Sequence, residues 1–346
     1  MKSFRMHQAR WILPLCCLIL VVAACTSAGS TRASDPPVSG VTPLTSSDAA
    51  TQVYALAWSP DGNRLATGGK NGKVEVWTIP MTIPLVTCRN SSGAIYALAW
   101  SPDGTRLAFA GMDKTVQVCD AATGKVVFTY HSAWSTGEVL ALAWSPDSQR
   151  IAAGSNTGIV QVWETTSGKL SMAYGDYDLE GEVTALAWSP DGKRLADAST
   201  DRTVQVWDMV NQVHLLTYLG HTDEVWAVAW SPDGKRITSG SWDHTVQIWD
   251  ASSGRVLVIY RGHAAEVWAV AWSPDGEYLA SASKDHTVQV WDARSGRHVL
   301  TYRGHAAEVW DVAWSPMRTY IASTGDGGIV QVWDASMGRQ AFGFRI

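Results

Sequence analysis

The stretch Glu224 to Asp250, EVWAVAWSPDGKRITSGSWDHTVQIWD, decides how the chain folds, because almost everything after residue 50 is a copy of it. Glu224 to Trp230 is rich in Val and Trp and alternates loosely, which reads as a strand. Ser231-Pro232-Asp233-Gly234 reads as a turn, since Pro fixes one φ and Gly accepts a positive one. Lys235 to Ser241 is a second strand, Trp242-Asp243-His244 a turn, and Thr245 to Trp249 a third strand with period two. Ser252-Ser253-Gly254 turns the chain again, and Val256 to Tyr260 completes a set of four. Four short antiparallel strands make a sheet too small to bury both faces by itself, so it must stack on a neighbour.

The copies supply the neighbours. The first-strand Trp recurs at 58, 100, 144, 188, 230, 272 and 314, at intervals of 42 or 44 residues. The third-strand aromatic recurs at 77, 163, 207, 249, 291 and 333, with Cys119 in the missing place. Four strands per period of 40 to 45 residues predict an all-β fold, a seven-bladed β-propeller of four-stranded antiparallel blades over residues 51–346. Copy seven is complete by itself, so closure is expected from blade one packing on blade seven without a shared strand. Pairing of residues 36–44 on the outer edge of blade seven would speak against that.

Over residues 51–346 the chain resembles the tryptophan–aspartate (WD) repeat family. The marks are Gly220-His221, Gly262-His263 and Gly304-His305, with Trp207-Asp208, Trp249-Asp250, Trp291-Asp292 and Trp333-Asp334. The resemblance implies a buried hydrogen-bonded tetrad within a blade: His221, Ser239, Asp243 and Trp249 in copy five, and His263, Ser281, Asp285 and Trp291 in copy six. Copies one to four lack the Gly-His, and in copy seven Asp326 is one place out of register. Those blades are expected to be softer.

The resemblance also points to the face around the central channel. The last residue of the Glu-Val-Trp triplet is Tyr54, Tyr96, Leu140, Thr184, Trp226, Trp268 and Trp310 round the ring. Because the ring closes, the aromatics of copies five, six, seven, one and two would form one arc, with Trp242 on the same face. In copies three to seven the triplet begins with Glu138, Glu182, Glu224, Glu266 and Glu308. Aromatic anchors mark binding hot spots, and a rim of Glu favours a basic or polar peptide. The plain alternative is that Trp226 and Trp268 recur because copies five and six are near-duplicates.

The N-terminus has a different logic. Lys2, Arg5 and Arg10 precede a 14-residue apolar run from Trp11 to Ala24, which is short for a membrane span and fits a secretory leader over residues 1–24. Val22-Ala23-Ala24-Cys25 resembles the lipobox of bacterial lipoproteins, which implies cleavage before Cys25 and lipid on its thiol and amine. Residues 25–50 then read as the lipidated Cys and a flexible Ser/Thr/Pro-rich tether. This predicts an extracytoplasmic, lipid-anchored protein, with secretion after ordinary cleavage as the alternative.

Composition narrows the function. Two of the five Cys, Cys88 and Cys119, lie in the propeller body. Cys119 reads as a buried small hydrophobe and Cys88 as an unpaired thiol, with no disulfide framework. Net charge is −5, and losing residues 1–24 removes three bases and no acid, leaving −8. Such a body lacks a phosphate-neutralising stripe and excludes nucleic acid. No cluster of the nine His has metal spacing, and no Gly-rich phosphate cradle occurs. The reading is therefore a monomeric, non-catalytic scaffold for a protein or peptide, with no cofactor or metal. A glycan- or solute-binding sensor, and less so a channel-sited hydrolase, are the alternatives.

Overall fold

The computed structural model describes residues 52–79, 84–89, 93–131, 137–175 and 181–345. The leader, Cys25, the tether and the segment 36–44 lie outside the described residues. Seven antiparallel sheets follow one another, each of four consecutive strands in chain order. In blade five these are Val225–Trp230, Arg236–Ser241, Val246–Asp250 and Val256–Tyr260. The turn chemistry follows from the residue types. Ser231 Oγ donates to Asp233 Oδ1 at 2.5 Å, Asp233 Oδ1 accepts the Lys235 amide at 3.0 Å, and Gly234 holds φ at 67°. The Asp of the Trp-Asp pair closes the next turn, where Asp250 Oδ1 accepts the amides of Ser252 and Ser253. Side-chain caps of this kind satisfy turn amides that the strand ladder leaves over.

The first strands form the inner wall. Each contacts the first strand of the next blade, round to Val309–Trp314 against Val53–Trp58. The apolar cores lie at the seams between blades, so one face of each sheet is covered by the next sheet. Around the core, the Trp at the end of the first strand donates its indole N–H to an Ala carbonyl of the preceding blade in six blades, as Trp100 does to Ala57 at 3.0 Å, whereas the Trp314 indole has no partner among the described residues. An Arg of the preceding blade covers the same ring: Arg64 over Trp100, Arg106 over Trp144, Arg150 over Trp188, Arg194 over Trp230 and Arg236 over Trp272, all within 4.9 Å. Each cation–π contact is worth about 0.5–2 kcal/mol. Tyr278 and Tyr320 take the Arg place in the last two blades.

A second inter-blade contact lies further out. The last aromatic of a fourth strand stacks on the third-strand Trp of the next blade: Tyr130 on Trp163, Tyr174 on Trp207, Tyr218 on Trp249, Tyr260 on Trp291 and Tyr302 on Trp333, at 4.1–5.5 Å. Each pair adds about 1 kcal/mol beyond the area it buries. At the closing seam Phe344 meets Trp77 at 4.4 Å.

No described sheet borrows a strand from another blade, and the ring closes through side chains. Trp58 Nε1 donates to the Ala313 carbonyl at 3.2 Å, and Thr324 Oγ1 donates to the Val53 carbonyl at 3.1 Å. Asp311 Oδ2 accepts the Leu56 amide at 2.9 Å. Asp311 stands where the other six blades have Ala. Protein closes round its carboxyl, although some of its surface faces solvent, and burial pushes its pKa up to about 7.

Cys119 is buried as expected, but the expectation of an unpaired Cys88 thiol and no disulfide is overturned. Cys88 and Cys119 form a disulfide, with Cα atoms 6.4 Å apart, and both are wholly buried. Cys88 lies on the fourth strand of blade one and Cys119 on the third strand of blade two. They face each other only because the two blades stack, which sequence separation does not reveal. A signal was present: Cys88 and Cys119 depart together from the Tyr or Phe and the Trp of the other copies.

Candidate functional site

The position singled out in the repeat has a backbone cause. In every blade the pairing of first and second strands slips by one residue around it. In blade five Val225 pairs with Ser241 and Ala227 with Gly240, which leaves Trp226 as the extra residue of a β-bulge. A bulge bends the strand and re-aims the extra side chain. Val225 and Ala227 stay buried while Trp226 is half-buried between them. Tyr54 and Tyr96 repeat that pattern, and Trp268 and Trp310 are likewise half-buried, each after a buried Val and before a half-buried residue.

These rings touch in sequence. Tyr96 meets Tyr54 at 5.7 Å, Tyr54 meets Trp310 at 5.9 Å, Trp310 meets Trp268 at 4.9 Å and Trp268 meets Trp226 at 5.1 Å. Trp242 stacks on Trp226 at 5.4 Å and meets Trp268 edge-on at 5.5 Å. Six aromatic rings from five consecutive blades thus form one continuous band. At the gap, Thr184 is buried and turns its hydroxyl to the Val225 carbonyl at 2.6 Å, and Leu140 holds the remaining place.

Acids fix and frame the band. Trp226 Nε1 donates to Glu224 at 3.0 Å, and Trp310 Nε1 donates to Asp326 at 2.8 Å. Asp326 also accepts from Gln52 Nε2 at 3.0 Å, while Tyr54 donates to Gln52 Oε1 at 2.6 Å. That chain crosses the closing seam. The indole N–H groups of Trp242 and Trp268 have no protein acceptor among the described residues. Burial, and then neighbouring carboxylates, raise Glu182 above the usual Glu range. Glu224 is raised by burial, against the Trp226 hydrogen bond, and Glu308 by burial first. Burial opposes the charge of Glu266, but the Lys284 ammonium at 2.9 Å outweighs it and holds Glu266 low. Burial also pushes Tyr96 up to about 12, with help from Glu138 and Tyr54.

The tetrads lie inside the blades. His221 Nδ1 meets Asp243 at 2.8 Å and Nε2 meets Ser239 at 2.8 Å, and Trp249 Nε1 reaches Ser239 Oγ at 3.3 Å. His263 repeats the first two contacts with Asp285 and Ser281 at 2.8 and 2.7 Å, but Trp291 Nε1 is without a partner among the described residues. In blade seven His305 keeps Ser323 at 2.8 Å and has no carboxylate partner among the described residues, since Asp326, one place out of register, accepts from Trp310. Burial lowers His305 to about 4, so it is neutral. These imidazoles pin the outer-to-inner crossing of the chain and belong to the blade interior.

Sequence reasoning missed the bulge and the Gln52–Asp326 link. The bulge has no residue signature in a single copy; it shows only in the strand register. Among the described residues, no group of three or more His, Cys, Asp and Glu is placed to hold a metal ion.

A family model described as WD domain, G-beta repeat matches residues 41–78, 124–164, 175–208, 212–250, 254–292 and 296–334. One described as Anaphase-promoting complex subunit 4 WD40 domain matches residues 75–136. No curated protein matches the chain.

Proposed function

Because the chain belongs to the WD-repeat family, we propose that it is a non-catalytic scaffold that takes a protein or peptide on the aromatic band of its ring. Propellers of this family are typically protein-interaction scaffolds and usually non-catalytic. The observation that carries the reading is the unbroken series of ring contacts from Tyr96 to Trp226, framed by Glu182, Glu224, Glu266 and Glu308. Half-buried aromatics give contact area at little entropy cost, and a rim of acids steers basic partners. The ligand is accordingly a basic or polar peptide segment. The leader and lipobox support an extracytoplasmic site, with lipid on Cys25 as anchor and residues 26–50 as spacer. More than one acyl chain is needed for stable anchoring.

The test is capture of partners from native membranes by the wild type and by a variant with Trp226, Trp268 and Trp310 changed to Ala. Loss of a specific protein supports the scaffold; unchanged recovery removes the band from the reading. The ring faces also favour a second reading, a glycan or other solute stacked on Trp. Glycan binding lost on the same substitutions, with protein capture unchanged, would select it. Intact-mass measurement of the mature N-terminus, with Cys25→Ser as control, tests the anchor.

A further inference from the structure

Six of the seven seams carry an aromatic stack between the fourth strand of one blade and the third strand of the next. The seam between blades one and two does not. Three residues there depart from the repeat together. Cys88 occupies the place of Tyr218, Tyr260 and Tyr302, since Cys88 pairs with Val74 as Tyr260 does with Val246. Cys119 occupies the place of Trp249. Phe109 occupies the place of the tetrad Ser239, both lying opposite the third-strand Gln. Phe109, Cys88 and Cys119 are all wholly buried in one apolar cluster with Ile95, Leu98 and Leu107. The aromatic mass has moved from the third strand to the second, and the space between the blades is spanned by sulfur.

We propose that Cys88 and Cys119 form an oxidatively closed clamp that replaces the aromatic stack at this seam, so that the propeller is built to mature in a thiol-oxidising compartment. Disulfides persist in oxidising compartments and are rare where thiols are kept reduced. The bond forms by exchange with a protein disulfide of the thiol–disulfide oxidant class. One body thiolate attacks the donor disulfide and displaces one donor sulfur, and the second thiolate resolves the mixed disulfide. Two protons leave the body cysteines, and the donor departs as a dithiol. Both sulfurs are buried, so exchange precedes docking of blade two on blade one. Without the bond this seam holds two small thiols where its neighbours hold Phe344 with Trp77 and Tyr130 with Trp163. The inference rests on neither the leader nor the aromatic band, so it stands or falls apart from the proposed function.

The test uses the full chain isolated in detergent from its native cells, with free thiols blocked at lysis. Digestion without reductant should yield residues 74–89 linked to residues 115–125. Reduction in denaturant and refolding with reductant should then lower Tm by about 5 °C or more, as expected for a cross-link closing a loop of this length. A variant with Cys88→Tyr, Phe109→Ser and Cys119→Trp restores the stack and should melt above the reduced wild type, indifferent to reductant. Recovery of both cysteines as free thiols from the protein so isolated, or equal Tm with and without the bond, would overturn the proposal. The wild-type measurements decide the matter even where the triple variant does not fold.

Discussion

Phe344, on the last strand of blade seven, lies 4.4 Å from Trp77 on the third strand of blade one. This contact joins the two blades furthest apart in the chain and does at the closing seam what Tyr302 on Trp333 does one seam earlier.

Phe344→Ala should destabilise the ring by about 2 kcal/mol, roughly half the cost of emptying a fully buried Phe site, because Phe344 is half-buried. Tyr302→Ala should cost more, since it also removes the bond to Gln331 and opens a buried site. Thermal melts of both variants check the order. A loss for Phe344→Ala equal to or above that for Tyr302→Ala would contradict this order and show that the closing contact carries more than its burial accounts for.

Changing Trp226, Trp268 and Trp310 to Ala should weaken partner binding by about 30-fold or more for each true anchor. The fold should tolerate the changes, because each ring is the half-buried extra residue of a bulge and lies outside the cores at the seams. Binding measured by titration, beside circular dichroism of the variants, separates lost recognition from lost structure.

Stability should respond to pH through two buried carboxyls. Burial pushes Asp311 and Asp197 up to about 7. In the unfolded chain they ionise near the ordinary Asp value, so the folded state binds more protons between about pH 4 and pH 7. Their contribution to stability therefore falls as pH rises through that window. His305, lowered to about 4 by burial, acts in the opposite sense as pH falls below the ordinary His value. The informative quantity is a difference: Asp311→Asn should gain on the wild type as pH rises from 4 to 7, because it keeps an acceptor for Leu56 without the charge. A flat difference in Tm across that range would contradict the assignment.

Binding of a short Lys/Arg-containing peptide should weaken on acidification sooner than ordinary Glu residues would allow. Glu182, Glu224 and Glu308 are raised by burial and so lose charge earlier. Added salt should also reduce the association rate, since the acids at the rim are half-exposed and screened. Kd and on-rates at two ionic strengths and at pH 7 and 5, with Glu224→Gln as control, test both effects.

Residue type and spacing alone determined the blade. The period of 42 or 44 residues, the Ser-Pro-Asp-Gly turns and the alternation of Thr245 to Trp249 each follow from local backbone chemistry, and each appears in the strands and turns described. The identity of the residue at 226 and its equivalents was also legible. That those rings touch one another, and that Asp326 accepts from Trp310, was not. Nor was the bond between Cys88 and Cys119, or the grip of Asp311 on Leu56 across the closing seam. These features depend on the distance and rotation between neighbouring sheets. A repeat specifies its own sheet through nearest-neighbour sterics and hydrogen bonds, but its seam is set by two faces packing at once, and only the closed ring brings those faces together.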